Sequence, residues 1–175
     1  MKEAAKHRTE WIIHKFRDPD GVLMPLLRSG IDAEEMARLY PDRFIGVERA
    51  EGNCLLNEGI QYLWDIVTGI EASPTLWDNG NARVGVGSDD TAASAAQMGL
   101  LDAGAEYATM DATYPKRTDE TMAWRGTFGD GDAEFAWEEY TVDNGDEVNL
   151  NRKVESKGTK GAGESWTLTL EITLT

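Results

Sequence analysis

Residues 165–175 alternate apolar and polar side chains without interruption. Trp166, Leu168, Leu170, Ile172 and Leu174 take one face, and Thr167, Thr169, Glu171, Thr173 and Thr175 take the other. A strict period of two marks a β-strand with one buried face, because a helix would scatter the same residues around its axis. The period recurs in residues 122–128, through Met122, Trp124, Gly126 and Phe128. It recurs again in residues 134–142, where Phe135, Trp137 and Glu139 share one face and Ala136, Glu138 and Tyr140 the other. Gly129-Asp130-Gly131-Asp132 lies between the two and accepts positive φ, so a hairpin with a tight acidic turn is expected there.

The remaining elements are shorter. Residues 10–16, 43–49, 82–87 and 106–114 read as strands, and residues 150–155 as a further short one. Asp18-Pro19-Asp20-Gly21 is a turn, followed by an apolar stretch, 22–27, that Pro25 interrupts. Asp32 with Glu35 three residues on has capping-box spacing and predicts a short helix over 33–40. The main helix is expected over 58–68, between an Asn57 cap and Gly69. Its Ile60, Leu63, Trp64 and Val67 stand at i, i+3, i+4 and i+7, a stripe expected to pack on a sheet. The fold class is therefore α+β: mainly antiparallel β sheet or sandwich, with one amphipathic helix (58–68) and an N-terminal extension. Residues 1–50 read as an extension or docking segment with little apolar mass of its own, and residues 51–175 as the β-rich domain.

Charge divides the chain in a similar way. Residues 1–50 carry nine basic and nine acidic side chains, whereas residues 51–150 carry four basic against twenty acidic. The net charge of −15 therefore belongs to the middle of the chain, which argues against a nucleic-acid partner. No apolar run approaches the roughly 18–20 residues that cross a bilayer, so no membrane partner is expected. The single Cys54 excludes an internal disulfide and reads as a small apolar residue beside Leu55 and Leu56.

Residues able to do chemistry are sparse. His7 and His14 are the two histidines, and neither stands in a metal-ligand spacing. Asp130, Asp132 and Glu134 repeat part of a calcium loop but lack its twelve-residue length, so a solvated turn is expected. Asp89-Asp90 has the same explanation, and Glu138-Glu139 point to opposite faces of a strand. Gly85-x-Gly87 and Gly129-x-Gly131 lack the rest of a phosphate loop. No catalytic, cofactor or metal residue is assigned. Among the tryptophans, Trp77 stands in a loop, and Trp77, Asp78 and Asn79 form the one candidate ligand-contact loop.

One further pattern spans residues 53–175. Asn53-Cys54-Leu55-Leu56-Asn57-Glu58-Gly59-Ile60 leads into the helix, and Asn79-Gly80-Asn81-Ala82-Arg83-Val84-Gly85-Val86-Gly87 into a small-residue run ending at Leu100. Phe135-Ala136-Trp137-Glu138-Glu139, Asn151-Arg152, Gly158-Thr159-Lys160 and the alternating C-terminal strand follow. This order resembles that of small tailed-bacteriophage virion structural proteins encoded among head, neck and tail genes. The resemblance implies a non-enzymatic capsid decoration or head–neck/tail attachment component, assembled in the host cytoplasm. Its partners would be other virion proteins and further copies of itself as a homo-oligomer. The alternative expectation is a host-surface glycan-binding module using residues 71–81, with Trp77, and residues 143–163. An enzyme using Asp130 and Asp132 is a third.

Overall fold

The computed structural model describes residues 7–174; Met1–Lys6 and Thr175, the ends of the expected extension and of the terminal strand, lie outside them. In chain order the elements are β1 (His7–Arg17), α1 (Leu23–Arg28), α2 (Ala33–Leu39), β2 (Phe44–Glu51), β3 (Cys54–Leu55), α3 (Asn57–Thr68), β4 (Arg83–Gly87), β5 (Glu106–Thr109), β6 (Lys116–Thr118), β7 (Thr121–Phe128), β8 (Glu139–Asp143), β9 (Asn151–Val154) and β10 (Glu164–Leu174). They form two five-stranded sheets, ordered β2-β1-β10-β7-β6 and β3-β9-β8-β4-β5, with antiparallel pairing throughout. The fold is α+β and mainly antiparallel β, in a sandwich-like arrangement.

The alternation of β10 does what its pattern requires. Trp166, Leu168 and Leu170 point between the sheets and join Trp11, Ile13, Trp124, Phe128, Trp137, Tyr140 and Val142 in one core. The opposite face of β10 is also closed, since Ser165, Thr167 and Thr169 are buried. Helices α1 and α2 lie over that side, with a second small core of Phe16, Leu23, Leu27, Ala33 and Met36. Helix α1 forms in the stretch that Pro25 was expected to break. Pro25 sits in its first turn, where an N–H would have no intrahelical partner. Asp18, fully buried, accepts from the Leu23 and Met24 N–H groups at 2.9 Å each and so caps this helix from a distance. Asp32 caps α2 through Glu34 and Glu35 N–H.

Three arrangements differ from expectation. First, the strands at 122–128 and 139–143 are not a hairpin. β7 lies in one sheet and β8 in the other, and residues 129–138 cross between them. Period two reports which face is buried, not which strand lies alongside. Phe128 and Trp137 meet edge to face across the core, ring centroids 5.0 Å apart. Second, the boundary at residue 50 falls inside one sandwich. β1 pairs along its whole length with β10, from His7↔Leu174 to Arg17↔Glu164, and with β2 on its other side. Trp11 and Ile13 belong to the main core, so the first fifty residues are not an appendage.

Third, α3 does not lay its stripe on a sheet. Of its residues only Gly59 is buried, while Leu63 is 43%, Trp64 61% and Val67 67% exposed. A Cβ at position 59 would stand 2.5 Å from the Asn149 carbonyl and 2.6 Å from Leu150 Cα, so the helix touches the body through a bare backbone. That close approach fixes which way α3 is turned, and it turns the stripe outward.

Candidate functional site

The interior holds charged side chains, and each has a structural use. Arg125 on β7 and Asp111 are both about 1% exposed and pair at 2.7 Å. Arg125 also donates to the Leu27 and Ile31 carbonyls at 2.7 and 2.9 Å, tying the end of α1 to the sheet. Thr127 Oγ1 donates to the same Asp111 oxygen at 2.9 Å. Burial pushes the Asp111 carboxyl up, against the opposing pull of Arg125.

Glu139 and Arg152, both fully buried, pair at 2.7 Å in the second sheet. The Glu139 carboxylate also accepts from the Leu101 and Asp102 N–H groups, the latter at 2.8 Å. Arg152 reaches the Thr91 carbonyl at 2.8 Å, Gln97 at 3.0 Å and Asp89 at 3.3 Å. One ion pair thus pins the long irregular segment between β4 and β5. Of these four charged residues the sequence drew attention to Glu139, as one of an adjacent acidic pair, and to Arg152, within a short motif, but to neither as a member of a buried ion pair. Glu139 and Arg125 occupy positions in alternating strands where a polar residue is ordinary, and the segments that partner them lie far away in the sequence.

The sequence candidates are dispersed. Trp77 is half-buried, packs against the main core, and meets Tyr62 edge to face at 5.7 Å. Asp78 Oδ1 accepts from Gly80 N–H and Asn81 N–H, closing its own turn. Asn79 Nδ2 donates to the Asp111 and Tyr114 carbonyls at 3.0 and 2.5 Å. This trio helps hold the 71–81 loop against the body. Asp130, Asp132 and Glu134 accept from the Gly163, Gly129 and Gly131 N–H groups respectively. Among the described residues no group of three His, Cys, Asp or Glu is placed to hold a metal ion. Cys54 is partly exposed in β3 and free. Among the described residues no helix is long and apolar enough to cross a membrane.

His14 lies buried on the β1 face that α2 covers. It lines a cavity of about 90 Å³ with Asp32, Glu34, Tyr114, Arg125, Thr169 and Glu171, and its Nδ1 has no partner. Burial pulls its pKa down and Arg49 pulls the same way, with Glu34 opposing. The folded chain therefore keeps His14 neutral where the unfolded chain, titrating near about 6.5, takes up a proton. This contribution to stability is present above that pH and is lost as pH falls toward the lowered folded value. A series of denaturant midpoints from neutral to mildly acid pH should show a smaller acid-side loss for His14→Gln than for the parent. Equal slopes would remove His14 from the account.

Exposed apolar side chains occur at several places on the surface, Leu39 and Met98 among them, and in two of these places they run along one element. One is the α3 stripe, continued past the helix end by Ile70, 74% exposed. Gly69 at φ 73° reverses the chain there, with Ile70 N–H on the Asp65 carbonyl at 2.9 Å and Gly69 N–H on Ile66 at 3.2 Å. The other is β2, the last strand of its sheet, with Ile45 43% and Val47 42% exposed. Compared with family models, curated proteins and solved structures, the chain matches none.

Proposed function

We propose that the chain is a non-enzymatic structural subunit of a virion, a capsid decoration or head–neck/tail attachment component used in symmetric copies. The observation that carries this reading is β2. It is the last strand of its sheet, with Ile45 and Val47 exposed in its first half, the Arg49 and Glu51 carbonyls of its second half bound by Lys157 and Lys153 Nζ at 2.8 Å each, and a place in the charge-neutral part of the chain. Its first half, residues 44–47, carries no charge to blunt it against pairing, whereas Glu48, Arg49 and Glu51 are exposed in its second half. A neighbouring virion subunit adding a strand or a flat apolar surface would use it. The acidic remainder, net −16 over residues 51–150, then faces solvent. The engagement of Arg125, Asp111, Glu139 and Arg152 in holding helices and loops also supports a scaffold role. The order of short motifs over residues 53–175 points to the tailed-phage class. No nucleic acid and no membrane enters the proposal.

The test is cosedimentation with purified tailed-phage particles that lack the chain. The parent protein should pellet with them. Replacing Ile45 and Val47 together by lysine should weaken that association at least tenfold with the thermal midpoint little changed, because both side chains are substantially exposed. A parent that stays in the supernatant, or a double variant that pellets equally well, overturns the reading.

A further inference from the structure

We infer that α3 is a self-contact: its stripe of Ile60, Leu63, Trp64 and Val67, with Ile70, packs against the same stripe of a second copy. This deepens the proposal of symmetric copies by naming the surface, and it rests on that reading only for its place in an assembly. Four observations carry it. The stripe has the i, i+3, i+4, i+7 spacing by which one helix seats on another, yet past the half-buried Ile60 it faces solvent. Its exposure is imposed by the contact at Gly59, not by weak docking of the helix. Asn57 N–H is bound to the Ala95 carbonyl at 2.8 Å, and Glu58 accepts from Asn149 N–H at 3.0 Å.

The area is sufficient. The exposed parts of these five side chains come to on the order of 500 Å² per copy, near the upper limit for an apolar patch on a monomer. Two such faces together bury roughly 1,000 Å² before any rim is counted, the level at which a specific contact becomes stable.

Charge chooses the occupant. At 100° per residue, Glu58 and Asp65 fall on the far side of the helix from the stripe. The residues flanking the stripe are Asn57, Gln61 and Thr68, all uncharged. A partner chosen to match an acidic rim would be basic, but this rim is neutral. A second copy presents an identical neutral rim, so the pair closes without bringing like charges together. A two-fold axis makes the contact self-complementary. With the helices antiparallel, their dipoles oppose and the centre of the stripe, Leu63 and Trp64, lies at the axis. Ile60 of each copy then faces Val67 of the other.

Sedimentation equilibrium of the full chain across a concentration series tests this. The parent should fit a monomer–dimer equilibrium. Trp64→Glu should raise the dimer dissociation constant at least about 30-fold, as loss of a central aromatic anchor does. Its thermal midpoint at low concentration should stay unchanged, since Trp64 is largely in solvent within the monomer. Register is read by oxidation in a Cys54→Ser background. Trp64→Cys should cross-link to itself, and Ile60→Cys should cross-link to Val67→Cys only when the two are mixed. A parent that is monomeric at every concentration, or that floats with lipid vesicles instead of pairing, overturns the inference. So does a Trp64→Glu chain that still dimerises, and self-linking of Val67→Cys overturns the antiparallel arrangement. These outcomes leave the particle assay with the Ile45 and Val47 changes untouched, so either reading can fail alone.

Discussion

A fragment comprising residues 51–175 is expected not to fold. It retains most of the apolar residues and all of the net charge, and by composition it passes for a domain. What it loses is β1, which lies between β2 and β10 in the first sheet. Trp11, Ile12, Ile13 and Phe16 are all buried, and burial of such side chains is worth roughly 1.5–3 kcal/mol each. The total rivals the roughly 5–15 kcal/mol by which a whole domain is stable. β10 would also keep eleven residues with one edge unpaired. Thermal unfolding followed by near-ultraviolet circular dichroism should show a cooperative transition for the whole chain and none for the fragment. A fragment that melts cooperatively would mean that β1 only decorates a sheet that closes without it.

The second large effect is at Glu139. Glu139→Ala leaves the Arg152 guanidinium fully buried with its partner gone, and breaking a buried pair in this way costs about 3–5 kcal/mol. It also removes the acceptor for Leu101 and Asp102 N–H. Denaturant unfolding should therefore show the loss, and hydrogen exchange should quicken at those two amides in particular. Replacing both partners by apolar residues, Glu139→Leu with Arg152→Met, should recover much of the stability and none of the amide protection. If the single change costs under about 1 kcal/mol, the pair is not the clamp described and water has replaced the carboxylate.

Much of this was readable in the sequence, and the part that was not has a common cause. The alternation in β10 and β7 placed Trp166, Leu168, Leu170, Trp124 and Phe128 on the buried face correctly. Asp32 and Gly69 marked helix ends where the ends are. Periodicity, however, is a property of one segment, while pairing belongs to two. It identified the strands on either side of Gly129–Asp132 without revealing that they belong to different sheets. It found the α3 stripe without revealing that Gly59, on another side of the helix, is the face that docks. The threonine face of β10 looked solvent-bound because nothing in residues 165–175 announces that α1 and α2 will cover it. The polar loop around Trp77 gave no sign that its ring packs against the main core and meets Tyr62 edge to face. The buried ions Arg125 and Arg152 gave no local signal, since their partners are carbonyls and carboxylates distant in the chain.

The pairing of His7–Arg17 with Glu164–Leu174 also sets a schedule. On the ribosome β1, with aromatic and branched side chains along it, emerges long before its principal neighbour, because the whole of residues 18–163 is made between them. The first sheet cannot close at its centre until that neighbour has left the exit tunnel, so β1 waits through the synthesis of everything between. Until then β1 can hold only β2 and the two short helices, and its other edge stands open to any strand nearby. Conditions that slow the synthesis of the residues between β1 and β10 should therefore raise the fraction lost to aggregation.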